Sequence, residues 1–162
     1  ALRAASENDW LLTLGIKPSR PDTGYGYIQF DQKIAYEKDN RIKKVKTFTE
    51  KPELKIAQRF IESGDFHWNA GIFVWSVKSI LKAFKTHLPE MYVLFSKGES
   101  NYNTPLEKQF IETNYAFSEN ISIDFGIMEK ANNVFVLPVN FKWNDLGTWS
   151  SLYSELKKDF HL

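Results

Sequence analysis

The sequence contains no cysteine in its 162 residues, so disulfide bonds, thiolate catalysis and cysteine-ligated zinc are all excluded. Histidine is also scarce, and His67, His87 and His161 lack the paired spacing that a histidine metal site requires. No apolar run is long enough to span a bilayer, and no hydrophobic signal core stands at the N-terminus. These absences argue against a membrane partner and predict a cytoplasmic setting.

An excess of one charge is missing as well. The net charge is +1, so nothing in the sequence favours a nucleic acid partner. The densest basic cluster, Lys43, Lys44 and Lys46, lies around Val45 in an alternating pattern. This pattern favours the solvent-facing side of a strand over a phosphate-binding patch. Hydrophobic residues at 43% and charged residues at 25% are typical of one ordinary globular domain, residues 1–162.

A glycine-rich phosphate-binding loop is the absence with the largest consequence. The segment Thr23-Gly24-Tyr25-Gly26-Tyr27 is rich in glycine, but a strand pattern follows it. A phosphate cradle of the dinucleotide or P-loop type needs a helix at that place. Two interpretations of Gly26 remain, a close approach of the backbone to a sugar and a plain turn.

Strand and helix patterns alternate along the chain, which predicts an α/β fold with a mixed sheet. The predicted strands are 10–16, 27–31, 34–38, 41–49, 69–77 and 133–141, the last bent or at an edge because of Pro138. The predicted helices are a tail at 1–9, one from Pro52 to a Gly64 cap, one capped by Ser76, one with a Thr104–Glu107 capping box, a short one after Ser122 and a terminal one from Thr148.

Glu50 and Lys51 stand where a predicted strand ends and a helix begins. In an open α/β sheet, residues at the carboxyl ends of strands face the ligand crevice. Glu50 can accept hydrogen bonds from sugar hydroxyls there, and Lys51 offers a point charge to a phosphate. A surface ion pair at a helix start is the alternative interpretation.

The segment Trp68-Asn69-Ala70-Gly71 opens the clearest strand pattern. Asn69 can donate and accept hydrogen bonds at once, which suits a pair of neighbouring hydroxyls. Gly71 lets the backbone come close to a ligand. The alternative is a turn asparagine at the start of a strand.

Two aspartates stand at other junctions. Asp145 lies between Trp143-Asn144 and Leu146-Gly147, fixed by a strand yet open to a cleft. It can supply one oxygen to Mg²⁺, with phosphates and waters as the other ligands. Asp124 follows Ser122 in the first turn of a short helix, where the helix dipole explains an acidic residue without any function.

Six motifs occur in an order that resembles the mannose-1-phosphate guanylyltransferases, sugar nucleotidyltransferases that make GDP-mannose from GTP and mannose 1-phosphate. The motifs are Leu14-Gly15-Ile16-Lys17-Pro18, Thr23-Gly24-Tyr25-Gly26-Tyr27-Ile28, Phe48-Thr49-Glu50-Lys51-Pro52, Trp68-Asn69-Ala70-Gly71-Ile72-Phe73, Ser122-Ile123-Asp124 with Ile127-Met128-Glu129-Lys130, and Trp143-Asn144-Asp145-Leu146-Gly147-Thr148-Trp149. The resemblance extends from about residue 10 to residue 149 and implies a partial nucleotide-diphospho-sugar transferase domain of Rossmann-like, mixed-sheet type.

The resemblance also implies roles for individual residues. Lys51 and Asp145 would be catalytic, with Lys51 at the sugar phosphate and Asp145 as one of two aspartates that hold Mg²⁺. The substrate-binding residues it implies are Gly26, Glu50, Lys51, Asn69, Gly71 and, in a supporting role, Asp124. The implied reaction is in-line attack by the mannose 1-phosphate oxygen on the α-phosphorus of GTP, with release of pyrophosphate.

The glycine-rich loop, guanine site and second metal-binding aspartate of that family are not found in these residues. The expectation is therefore a C-terminal, sugar-binding part of the catalytic domain, without the N-terminal nucleotide-binding half and inactive alone. Apolar surface and a free sheet edge would then favour a homo-oligomer. The alternatives are a non-catalytic sugar-phosphate-binding module, a transferase for glucose 1-phosphate or another base, and a glycosidase using Glu50 with Asp124 or Asp145 at about 5–10 Å.

Overall fold

A computed structural model describes residues 1–147 and 149–156, without the side chains of Ser150 and Ser154. Thr148, where the sequence predicts the start of the terminal helix, lies outside the described residues. None of the helices in the described part of the chain combines the length and hydropathy that crossing a bilayer requires.

The strands of the described residues are β1 (Leu11–Ile16), β2 (Tyr27–Tyr36), β3 (Asp39–Thr49), β4 (Phe66–Val74) and β5 (Val134–Val139). The helices are α1 (Leu2–Glu7), α2 (Leu54–Ser63), α3 (Val77–His87), α4 (Pro89–Ser96), α5 (Glu107–Tyr115) and α6 (Trp149–Glu155), and a π-helical turn, Asp124–Met128, precedes β5. The predicted α/β fold with a mixed sheet is confirmed.

The sheet closes on itself in the order β1-β4-β2-β3-β5. Neighbouring strands are antiparallel except β1 and β5, which run parallel with Leu11 opposite Val134. Strand β3 reaches β5 where Lys43 pairs with Val136. The expectation of a free sheet edge is therefore wrong where β3 meets β5, because the ring is closed there by backbone hydrogen bonds.

Some local predictions are confirmed and others are wrong, among them the predicted strand 69–77, which is observed at Phe66–Val74. Helix α2 ends at Gly64 with φ of 76°, and the Ser76 hydroxyl accepts a hydrogen bond from the Ser79 amide at 3.0 Å. The two predicted strands at 27–31 and 34–38 form one irregular strand, β2. The capping box is displaced because the Thr104 hydroxyl accepts from the Leu106 amide at 3.2 Å, which holds a turn and delays α5 to Glu107.

Apolar side chains on both faces of the sheet form three clusters, and two of them support the ends of β2, β3 and β4. One contains Tyr27 and Trp68 and packs against α2 through Ala57. Another contains Ile28, and in it Ile127 belongs to the π-helical turn. Because these strands and the turn are anchored by buried side chains, the polar residues at their ends have fixed positions.

Candidate functional site

One cleft of about 370 Å³ collects the residues that the sequence singled out. They come from the approach to β2, the end of β3, the middle of β4, the π-helical turn and the segment after β5. The residues of that set that line the cleft are Gly26, Glu50, Lys51, Asn69, Gly71, Asp124 and Asp145. The structure thus brings together side chains that lie far apart in the sequence.

Gly26 is in close contact with the Glu50 carboxylate. A Cβ at this position would lie 2.3 Å from Glu50 Oε2 and 3.3 Å from Asn69 Cβ. The Gly26 carbonyl also accepts a hydrogen bond from the Asn69 amide at 2.7 Å. Glycine here lets the Glu50 carboxylate keep its present position against the backbone, which is more than a plain turn demands.

Glu50 holds a nearly buried carboxylate whose hydrogen bonding is incomplete. Its side chain is 9% exposed, and Oε1 lies 3.4 Å from Lys51 Nζ. Its Oε2 atom is buried without a hydrogen-bond partner among the described residues. Burial, and next the charge of Asp124, raise the pKa of Glu50 above its usual value. An unpaired buried oxygen is destabilising, so the Glu50 carboxylate gains hydrogen bonds if it turns toward a ligand in the cleft.

Lys51 follows in a strained backbone conformation. Its φ is 45°, in the left-handed region that side chains other than glycine rarely adopt. The carboxylate of Glu129 accepts a hydrogen bond from the Glu50 amide at 3.2 Å and holds the turn from outside. Strain of this kind concentrates at functional sites. The Lys51 side chain lines the cleft and is 62% exposed.

The side-chain amide of Asn69 is hydrogen-bonded to Thr13, Gly71 and Asp124. Its Oδ1 accepts hydrogen bonds from the Thr13 hydroxyl at 2.9 Å and from the Gly71 amide at 3.2 Å. Its Nδ2 donates to Asp124 Oδ1 at 3.0 Å. One amide hydrogen is left over after these bonds. Gly71 adopts φ of 67° within β4, a left-handed conformation that glycine adopts at little cost.

Asp124 lies in the π-helical turn and faces Asn69 across the cleft. Burial raises its pKa above the usual value, while the hydrogen bond from Asn69 acts in the opposite direction. The helix dipole, which explains this residue from the sequence alone, does not account for that contact. Asp124 is part of the cleft wall.

Asp145 is exposed at the far side of the cleft. Its Oδ1 accepts a hydrogen bond from the Gly147 amide at 3.1 Å, which shapes a tight turn. No cluster of three histidine or acidic side chains suited to a metal occurs in residues 1–147 and 149–156. Asp145 therefore fits Mg²⁺ only as one protein ligand of an ion that takes its other oxygens from phosphate and water.

Several residues that build the cleft have no predicted role in the sequence. Tyr25 packs against Trp143 with ring centroids 5.1 Å apart, and its hydroxyl donates to Asn144 Oδ1 at 3.3 Å. These contacts anchor the segment that carries Asp145. Thr13 and Glu129 act from beneath the cleft, and the signal for Thr13 was a polar residue inside an apolar strand.

Substitution of Glu50 by glutamine should stabilise the fold at neutral pH. A raised folded-state pKa means that the unfolded chain ionises first as pH rises above about 4.3. The contribution of Glu50 to the free energy of unfolding is therefore fully present below that pH. It is lost as pH rises through the folded-state pKa of Glu50. Glu50→Gln removes this loss, and we expect a gain of about 1 kcal/mol at pH 7.

Urea denaturation at pH 4 and pH 7 measures this gain. The two proteins should be equally stable at pH 4 and should differ at pH 7. Glu62→Gln, on the exposed face of α2, is the control and should change stability at neither pH. Lower stability of Glu50→Gln at pH 7 would show that the Glu50 carboxylate is not strained by its burial.

Comparison with known proteins places this chain in a family. A family model described as nucleotidyl transferase matches residues 1–161. Mannose-1-phosphate guanylyltransferase from Escherichia coli is 36% identical over 152 residues, which are 92% of this chain and 32% of the relative. The alginate biosynthesis protein AlgA from Pseudomonas fluorescens is 31% identical, over 97% of this chain and 32% of AlgA.

The structure shows the same relationship. Mannose-1-phosphate geranyltransferase from Thermus thermophilus aligns with a TM-score of 0.81 and 32% identity, covering 99% of this chain and 44% of that chain. The chain spans about a third of the length of the curated relatives it matches. Because the family model extends over nearly all of its residues, the chain belongs to the nucleotidyl transferase family.

Proposed function

We propose that the cleft binds mannose 1-phosphate for a nucleotidyl transfer that forms GDP-mannose and pyrophosphate with GTP. The observation that carries the proposal is the meeting of Glu50, Lys51, Asn69 and Asp124 in one cleft beside Gly26. Two relatives that are 36% identical to this chain over the aligned residues are mannose-1-phosphate guanylyltransferases. In this proposal the chain supplies the sugar-phosphate side of the reaction.

The sugar is held by groups that match its hydroxyls. Glu50 and Asn69 both line the cleft, where the Glu50 carboxylate is an acceptor and the second Nδ2 hydrogen of Asn69 is a donor. A hydroxyl can donate to the first and accept from the second. The Tyr25 and Trp143 rings, in edge contact with each other, form an apolar wall of the kind that covers one face of a sugar.

Charge sets the orientation of the sugar phosphate. Glu50 and Asp124 lie together on one side of the cleft, and charge from Asp124 contributes to the raised pKa of Glu50. A phosphate dianion is repelled from these carboxylates and attracted by the Lys51 ammonium, a compact point charge on a flexible stem. The C1 phosphate is thereby directed to Lys51 and the ring hydroxyls to Glu50.

The proposed reaction is attack by an oxygen of mannose 1-phosphate on the α-phosphorus of GTP, with pyrophosphate as leaving group. Lys51 orients the attacking phosphate, and the cleft residues hold its sugar so that the approach is in line. Asp145 would hold Mg²⁺, which when bound offsets charge on the transferred group. We assign no residue of the cleft to the guanine base.

Calorimetry with mannose 1-phosphate tests the binding step directly. We expect a dissociation constant within the common range of about 1 μM–1 mM, and at least about tenfold weaker binding of glucose 1-phosphate, mannose and inorganic phosphate. Equal or tighter binding of glucose 1-phosphate would favour the transferase for that sugar. Failure to bind any sugar phosphate would refute the proposal.

A second assay separates a transferase from a sugar-phosphate-binding module. The protein as encoded is mixed with GTP, mannose 1-phosphate and Mg²⁺, and the released pyrophosphate is measured. Pyrophosphate that depends on both substrates supports the transferase. Binding of mannose 1-phosphate without any pyrophosphate would identify a module that binds but does not catalyse.

A further inference from the structure

We propose that Thr13 is a positioning residue of the cleft, because its buried hydroxyl fixes the amide of Asn69 in the orientation that binds the sugar. The effect on binding rests on the proposed function. The effect on the Asn69 side chain does not, and it can be measured in the absence of any ligand.

Thr13 is the polar residue in the middle of β1. Its side chain is fully buried, and burial of a hydroxyl is unfavourable unless it is hydrogen-bonded. The hydroxyl lies 2.9 Å from Asn69 Oδ1 and 3.3 Å from the Ile72 carbonyl. It has one hydrogen to donate, and the shorter contact assigns that hydrogen to Asn69.

The reason for this arrangement is an irregularity in the pairing of β1 with β4. Thr13 is opposite Phe73, and Gly15 is opposite Asn69. Leu14 alone therefore faces the three β4 residues between them, so β4 bulges outward. A bulge redirects the side chains next to it and breaks the regular ladder. The Thr13 hydroxyl stands at this bulge, within reach of Asn69 at one end and Ile72 at the other.

The bond from Thr13 adds to the contacts that hold the Asn69 side-chain amide against Asp124. With Oδ1 accepting from Thr13 and from the Gly71 amide, Nδ2 is directed to Asp124. Rotation of the amide by half a turn would place Nδ2 against the Gly71 N–H, where two donors meet, and Oδ1 against the Asp124 carboxylate. Without the Thr13 hydroxyl, Asn69 Oδ1 keeps only the longer bond from the Gly71 amide, so the side-chain amide is held less firmly in place.

The substitution Thr13→Val tests this role because it replaces the hydroxyl by a methyl group of similar size. We expect the affinity for mannose 1-phosphate to fall about tenfold, as for the loss of one well-placed hydrogen bond. Thr13→Ser keeps the hydroxyl and should restore affinity to within about threefold of the original. Ser79→Ala is the control, because it removes a buried hydroxyl from α3 that does not line the cleft. This variant should bind mannose 1-phosphate normally.

Nuclear magnetic resonance of the Asn69 side-chain amide supplies a readout that a loss of stability alone would not change. In folded protein below the denaturation midpoint, Thr13→Val should shift or broaden this pair of signals, and Thr13→Ser should return them. Unchanged amide signals in Thr13→Val overturn the proposal, as does retention of full affinity. If the original protein binds no mannose 1-phosphate, the proposed function fails, and the amide signals alone decide the role of Thr13.

Discussion

Replacement of Gly26 by alanine should lower the affinity for mannose 1-phosphate about a hundredfold with little change in fold stability. The new Cβ would lie 2.3 Å from Glu50 Oε2, so the carboxylate must leave its present place. It is the end of a flexible side chain and can move into the cleft at small cost to the fold. The loss of hydrogen bonds to a charged group, at about 1.5–3 kcal/mol each, accounts for the fall in affinity.

Gly64→Ala is the matched control for this substitution. Gly64 also stands next to regular structure, but its φ of 76° is left-handed and the space around a Cβ there is open. Alanine at Gly64 should lower the free energy of unfolding by about 1 kcal/mol and leave binding unchanged. Calorimetry and urea denaturation on both variants separate the two effects. Normal affinity in Gly26→Ala would show that the present position of Glu50 is not needed by the ligand.

Substitution of Asp145 by asparagine should reduce pyrophosphate release by the protein as encoded on the order of a hundredfold or more. Asparagine retains an oxygen that can accept the Gly147 hydrogen bond, now 3.1 Å from Asp145 Oδ1, so the turn is preserved. The change removes only the negative charge that a hard cation requires, and metal stabilisation of a phosphoryl transition state is worth several kcal/mol. Binding of mannose 1-phosphate without Mg²⁺ should be almost unchanged.

A titration of Mg²⁺ makes this test specific. The variant should require more Mg²⁺ for its residual rate, because a ligand of the ion has been weakened. Asp39→Asn is the control, since Asp39 bonds Arg41 at the start of β3 and does not line the cleft. An unchanged rate and Mg²⁺ requirement in Asp145→Asn would remove Asp145 from the metal site.

Local chemistry explains what the sequence could predict. Caps such as Ser76 and Gly64 depend on hydrogen bonds and backbone angles within a few residues, so their residue types reveal them. Glu50 could be placed in a site because residues at the carboxyl ends of strands face the ligand crevice of an α/β sheet, and Asn69 because its amide suits neighbouring hydroxyls. The structure brings both to the same cleft.

The parts that the sequence did not predict depend on partners far along the chain. The closure of the sheet requires β3 to meet β5, and no local pattern reports that pairing. The contact of Asp124 with Asn69 depends on the π-helical turn, whose residues match a short helix equally well. Thr13 is ambiguous for the same reason, because a single threonine in an apolar strand is also compatible with a structural role.

The closed sheet also constrains the order in which the chain can fold. Strand β1 and its parallel partner β5 are separated in the sequence by strands β2 to β4 and helices α2 to α5, so their pairing closes a long loop. The β2–β3 hairpin and the pairing of β4 with β2 join segments that are closer in the sequence, so they can form earlier. Contacts of high sequence separation slow folding, because the entropy of closing the loop is lost before the contacts compensate for it. During synthesis, β1 must therefore wait until Val134–Val139 has emerged before its second neighbour exists.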